Sequence, residues 1–244
     1  MKKTVIVFIT LLLVAVLAVL MAINAFAAFT FTFDPCGGTA DKTKSYYASG
    51  KAFSRLPIAA REGYAFCGWN TQSDGSGDFI TESSICTAAL NLYAVWSVPG
   101  DATADGKCNL KDLLRIKRVS AGYNPVTPYC DISGNGKFEE ARDSACLQKL
   151  LLLGYDRIPV HTVNFMKNDN AGILFSVKVL HGFDCRTPIP ESRSGYPFEK
   201  WSGSTENITN NINLYAQYTG YVETSSHGTG SDIHPGDFPS GFTN

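Results

Sequence analysis

The chain has 244 residues, a formal net charge of −1 and 18% charged residues. Neither that balance nor any run of Lys and Arg points to nucleic acid or a membrane surface as a partner. The first element, residues 1–27, has the three parts of a secretory signal: Met1-Lys2-Lys3, an apolar run from Val5 to Ile23, and Ala25-Phe26-Ala27 before the expected cleavage. The apolar run is also close to the ~20 residues that span a bilayer, so an uncleaved anchor is the alternative. Either way the remainder is expected to be exported, secreted or held at the cell surface.

Export bears on the cysteines. Cys36, Cys67, Cys86, Cys108, Cys130, Cys146 and Cys185 suggest some disulfides, and an odd count leaves at least one thiol unpaired. No Cys-x-x-Cys occurs and none has metal-ligand spacing, which argues against a zinc or thioredoxin-like redox site.

Residues 28–97 open with a strand pattern, Phe29-Thr30-Phe31-Thr32-Phe33, and continue through Arg61-Glu62-Gly63-Tyr64-Ala65-Phe66-Cys67-Gly68-Trp69 to Asn91-Leu92-Tyr93-Ala94-Val95-Trp96. The same order returns in residues 157–219. Val163-Asn164-Phe165 opens this copy, and Arg193-Ser194-Gly195-Tyr196-Pro197-Phe198-Glu199-Lys200-Trp201 and Asn213-Leu214-Tyr215-Ala216-Gln217-Tyr218 follow. Gly50 precedes Arg61 by the interval that separates Gly182 from Arg193, and the second copy is shortened between its tryptophan and its last strand. Pro57, Pro188 and Pro190 limit the middle of each copy to a turn of helix at most. The aromatics must supply most of the burial in units this small.

The Gly-Tyr-x-Phe-x-x-Trp and Asn-Leu-Tyr-Ala-x-Trp signatures resemble the Listeria–Bacteroides repeat, or internalin B-repeat. The resemblance implies a small β-grasp-like module of secreted and surface proteins, used for adhesion or spacing. On that reading Tyr64, Phe66, Trp69, Tyr93 and Trp96 are core residues, not a sugar-binding platform.

Between the copies, residues 98–156 contain two loops with the spacing of calcium ligands. In the first, Asp101, Thr103, Asp105, Asn109 and Asp112 fall at positions 1, 3, 5, 9 and 12. Gly106 stands at the turn, and Lys107 offers its carbonyl at position 7. In the second, Asp131, Ser133, Asn135, Lys137 and Glu139 keep the register, but position 12 is Arg142. One inserted residue makes Asp143 the displaced last ligand. Calcium, a hard cation taking six to eight oxygens, suits such a set, and two sites are expected, the second weaker. Apolar helical runs follow each loop: Leu110, Leu113, Leu114, Ile116 and Val119, then Cys146, Leu147 and Leu150 to Leu153. Pro99 and Gly100 preclude an entering helix before the first loop.

This duplicated loop-then-helix unit resembles a type I dockerin of cellulosomes. The resemblance implies a cohesin module of a scaffoldin or surface protein as partner. It also implies contacts through Leu110, Lys111, Lys117 and Arg118 in the first half, and Glu140, Ala141, Gln148 and Lys149 in the second. Leu110 departs from the hydroxyl residue common there. The expected fold class is therefore multi-domain α+β, with two small β-grasp-like modules flanking an all-α duplicated calcium-loop-helix dockerin.

Residues 220–244 are rich in Ser, Thr, Gly, His and Pro and are expected to be disordered. Subtracting these parts leaves no segment for a catalytic domain, and no Gly-x-Ser-x-Gly, His-Glu-x-x-His or phosphate-binding glycine loop occurs. The reading is a non-catalytic, calcium-dependent docking protein. Two alternatives stand beside it: a membrane-tethered adhesin whose dockerin packs against its own repeats, and a small secreted polysaccharide-active hydrolase or carbohydrate binder.

Overall fold

The computed structural model describes residues 28–168 and 172–220. The expected signal segment and the expected disordered tail lie outside the described residues.

Alternation in β1 (Ala28–Asp34) buries Phe31 and Phe33 and turns Thr32 outward. β1 pairs antiparallel with β3 (Lys44–Ala48) and parallel with β7 (Asn91–Ser97). β7 then pairs with β5 (Ala65–Asn70), and β5 with β6 (Phe79–Ile80), giving one mixed sheet in the order β3-β1-β7-β5-β6. A short pair, β2 (Thr39–Ala40) and β4 (Ala59–Ala60), lies apart from it. Among the described residues no helix crosses the sheet: residues 51–60 cover it as coil and one short strand, with Phe53 and Pro57 buried beneath. The core is aromatic. Phe31 meets Tyr47 and Phe53 edge-on at 5.5 and 5.0 Å, and Phe33 meets Trp69 at 4.9 Å. Trp69 Nε1 donates to the Pro57 carbonyl at 2.6 Å.

The second copy repeats the parallel pair. β8 (Val160–Met166) lies between β9 (Ile173–Leu180), antiparallel, and β11 (Ile212–Leu214), parallel. Its last strand is interrupted at Tyr215, so β12 (Ala216–Tyr218) leaves β8 and pairs with β10 (Phe198–Trp201). The recurring Arg-x-Gly-Tyr has one cause in both copies. A glycine at φ +80° or +74° closes a turn in which the tyrosine N–H donates to the arginine carbonyl. That turn lays Arg61 over the Tyr64 ring at 4.0 Å and Arg193 over Tyr196 at 4.6 Å.

The expected fold class is corrected here. Strand dominates the described residues, and the only α-helices among them are α1 (Leu110–Ser120) and α2 (Glu140–Leu153). They do not form an all-α module with its own interior. Ile116, Val119, Cys146, Leu147 and Leu150 belong to one continuous apolar core with Val163, Phe165, Val179, Leu180 and Trp201 of the second copy. Size favours this: two helices this short, joined by loops full of polar groups, bury little apolar surface between themselves and gain cover from the neighbouring sheet. The first copy keeps a separate core.

The expected disulfides are also corrected: all seven cysteines are free thiols. Five of them are buried and serve as small hydrophobes, and Cys67 adds a weak hydrogen bond to Ser97 Oγ at 3.2 Å. Burial pushes Cys67 up to about 11 and Cys146 and Cys185 up to about 12, which disfavours the thiolate at each.

Candidate metal centre

The first loop is built around two buried carboxylates. Asp101 accepts the Asp105 N–H at 3.1 Å and the Gly106 N–H at 2.7 Å, which wraps residues 101–106 around it. Gly106, at φ +81°, makes the required turn. Asp112 accepts from Thr103 N–H at 3.0 Å and from Asn109 N–H at 2.7 Å. With Asn109 accepting from Lys111 N–H at 2.9 Å, it forms the capping box that starts α1. Both carboxylates therefore have a structural role regardless of any metal.

Their mutual placement adds something a cap does not need. Thr103 Oγ1 lies 2.9 Å from Asp112 Oδ1 and 3.3 Å from Asp101 Oδ1, so two carboxylates bracket a hydroxyl that has one proton to give. Asp101 is 2% exposed and Asp112 is fully buried, and neither has an ion-pair partner among the described residues. The nearest pairing in this loop is Asp105 with the exposed Lys111, at 3.9 Å. Lys107 donates its N–H to Asp105 at 3.1 Å. Two unpaired buried anions facing one point is the electrostatic pattern a hard cation relieves.

The second loop repeats this backbone geometry in spite of its extra residue. Asp131 accepts from Asn135 N–H at 3.1 Å and Gly136 N–H at 2.8 Å. Asp143 accepts from Ser133 N–H at 2.9 Å and Glu139 N–H at 2.6 Å, the same two loop positions that Asp112 serves. Lys137 donates its N–H to Asn135 Oδ1 at 2.8 Å, and Asn135 donates to Glu139 at 3.3 Å. Ser133 Oγ is buried without a hydrogen bond, where its counterpart Thr103 has carboxylates on both sides. Burial raises the Asp143 carboxyl above its ordinary value, against the lowering effect of its two N–H donors.

Two arginines distinguish this loop, and sequence reasoning assigned neither partner. Arg142 makes paired hydrogen bonds to buried Asp184. Arg186 Nη2 donates to Asp131 Oδ2 at 2.8 Å. Asp184 and Arg186 belong to the second repeat. In the register that aligns Gly50 with Gly182, the first repeat has Ala52 and Ser54 at these places. That difference between copies is the signal that could have found them.

The helix residues divide unequally. In α1, Leu110 is 73% exposed, and Lys111, Lys117 and Arg118 are exposed as well; Lys117 pairs with Glu140. In α2, Ala141 and Gln148 are exposed. Glu140 is half-buried beside Lys117 and Ser144, and Lys149 donates to the His181 carbonyl. The first-half face is thus open, and the second-half face is partly tied down.

The repeats belong to a described class of module. The Listeria-Bacteroides repeat domain matches residues 29–95 and 161–220, and the chain belongs to that family. Such repeats occur in surface and extracellular proteins. Residues 96–160, with both loops and helices, lie outside the two matches. A protein of Evansella cellulosilytica named "Putative Gly-rich membrane protein" is 24% identical over 188 aligned residues, covering 65% of this chain. The alignment covers 21% of that relative, so this chain spans about a fifth of its length. Among the described residues no helix is long and apolar enough to cross a membrane. No group of three His, Cys, Asp or Glu placed to hold a metal occurs among them either, so any metal site here must draw on hydroxyl, amide and carbonyl oxygens.

Proposed function

We propose that this chain is a non-catalytic surface or extracellular protein in which Listeria-Bacteroides repeats carry a calcium-dependent docking element. The observation behind this is the pair Asp101 and Asp112, buried without cations and facing the Thr103 hydroxyl. Calcium there would draw on these three residues, Asp105, Asn109 and the Lys107 carbonyl. It would supply positive charge at Asp101 and Asp112, which no Lys or Arg among the described residues pairs with. The face of α1 with Leu110, Lys111, Lys117 and Arg118 would meet the partner, a cohesin module of a scaffoldin or cell-surface assembly of the kind that dockerins bind. Ala141 and Gln148 would add to that contact, whereas Glu140 and Lys149 are engaged within the chain.

The test is binding of the chain to immobilised cohesins in calcium and in EGTA. Retention in calcium that is lost in EGTA, and weakened about tenfold or more by Leu110→Asp with Lys111→Glu, is the expected result. Retention unaffected by chelator and by these substitutions would exclude the reading.

A second reading is supported by the core shared with the second repeat and by the Arg142–Asp184 and Arg186–Asp131 pairs. In it, the loops and helices serve to brace a membrane-tethered adhesin from within, and no cohesin is bound. Recovery of an intact N-terminus in the membrane fraction, with no retention on any cohesin, distinguishes it.

A further inference from the structure

The two loops match in backbone but not in charge. At Asp101 no cation is in contact among the described residues. At Asp131 a guanidinium already is, with side chains 5% exposed for Asp131 and 23% for Arg186. Arg186 is held there by more than the carboxylate. Its guanidinium lies over the Phe66 ring of the first repeat at 5.1 Å. A Cβ at Gly136 would stand 3.3 Å from its Nε, so the loop's turn and the arginine are fitted to each other. The neighbouring backbone is fixed from the same strand-free segment. Asp184 N–H donates to the Ser133 carbonyl at 2.8 Å, and a Cβ at Gly134 would meet the Asp184 carbonyl at 2.9 Å. Asp184 in turn holds Arg142 and accepts the Asn207 N–H at 2.6 Å.

We propose that Arg186 takes the place of a metal in the second loop, so that the chain binds one calcium, in the first loop, and uses the second as a metal-free latch onto the second repeat. The part concerning the first loop rests on the proposed function above; the latch does not. The reasoning is electrostatic. Arginine cannot lose its proton in a protein, so a divalent cation at Asp131 would share a buried carboxylate with a permanent positive charge. Binding would require Arg186 to leave both Asp131 and Phe66. The other donors of a site are nonetheless present: Ser133 Oγ, which has no hydrogen bond, with Asn135, Glu139, Asp143 and the Lys137 carbonyl. The second loop is a latent site closed by one side chain.

Calorimetric titration of the chelator-stripped full chain with calcium chloride tests this, using wild type, Arg186→Met and Arg186→Lys. Methionine retains an apolar stem on Phe66 and removes the charge; lysine retains a charge. One calcium is expected for wild type and for the lysine variant. Two are expected for the methionine variant, its second site at least tenfold tighter than any second binding by wild type. Two sites in wild type would overturn the proposal, as would a folded methionine variant with wild-type stoichiometry. If the methionine variant is unfolded without metal, circular dichroism during the titration decides: refolding with calcium supports the latch, and none contradicts it. A wild type that binds no calcium refutes the first-loop reading alone, and the methionine variant gaining a single site would still uphold the latch.

Discussion

Asp112 and Asp143 occupy the same place from different loop positions, because each is fixed by the N–H groups of loop positions 3 and 9. Spacing alone pointed to Asp143 by way of an inserted residue, and the hydrogen bonds show where the insertion goes: Arg142 swings to Asp184. Nothing in the sequence near the loop announces Asp184 or Arg186, which lie in the second repeat and reach the loop only through the fold. Position 4 separates the loops in another way. It is Gly134 at φ +91° in the second and Ala104 at φ +60° in the first. A side chain in the left-handed region costs about 1 kcal/mol, so Ala104→Gly should stabilise the chain by up to ~1 kcal/mol in urea unfolding. No gain, or a loss, would mean that the loop tolerates that backbone without strain.

Asp143 also makes the stability of the chain depend on pH. Its carboxyl is raised by burial above the ordinary 3.8, so ionising it opposes folding. The favourable contribution is complete below the ordinary value and is lost as pH rises through the raised one. In EGTA, wild type should therefore lose stability through this group as pH climbs above about 4. Asp143→Asn, which carries no charge, should show a flatter melting-temperature profile over that range. Parallel profiles would contradict this.

At the level of elements, the two tryptophans are equivalent in sequence and not in bonding. Trp69 Nε1 donates to the Pro57 carbonyl, whereas Trp201 Nε1 is buried without a partner. Trp69→Phe leaves a carbonyl unpaired and should cost about 1–3 kcal/mol more than Trp201→Phe, measured by chemical denaturation. Equal losses would show that volume, not the hydrogen bond, decides both. The strands around these residues were legible because the motifs recur: Tyr64, Phe66, Trp69, Tyr93 and Trp96 in one copy answer to Tyr196, Phe198, Trp201, Tyr215 and Tyr218 in the other. The helices were legible as helices from their periodicity, whereas the Asn109–Asp112 cap emerged only from the structure, those residues standing at ligand positions in the sequence. What they pack against was not. Ile116, Val119, Leu147 and Leu150 form an apolar face in any fold, and sequence pattern does not say whether a sister helix or a neighbouring sheet covers it.

At the scale of the molecule, the loop segment is a joint between repeats, and the repeats also touch directly. Asp41 accepts the Ile58 N–H at 2.8 Å and the Ile189 N–H at 2.6 Å, Arg55 donates to Thr187, and Arg55 lies over Phe198 at 5.5 Å. Because α2 is anchored in the second repeat's core, chelation should loosen the first loop and the start of α1 and leave α2 in place. Helical circular dichroism should fall only in part.

The most direct measurement is hydrogen exchange by mass spectrometry of the full chain in calcium and in EGTA. Peptides covering residues 101–112 should gain protection in calcium, the amides of Thr103, Asp105, Gly106 and Asn109 being held by Asp101 and Asp112. Peptides covering residues 131–143 should exchange alike in both conditions. Protection of residues 101–112 that does not change with calcium would contradict the claim that the first loop is a metal site.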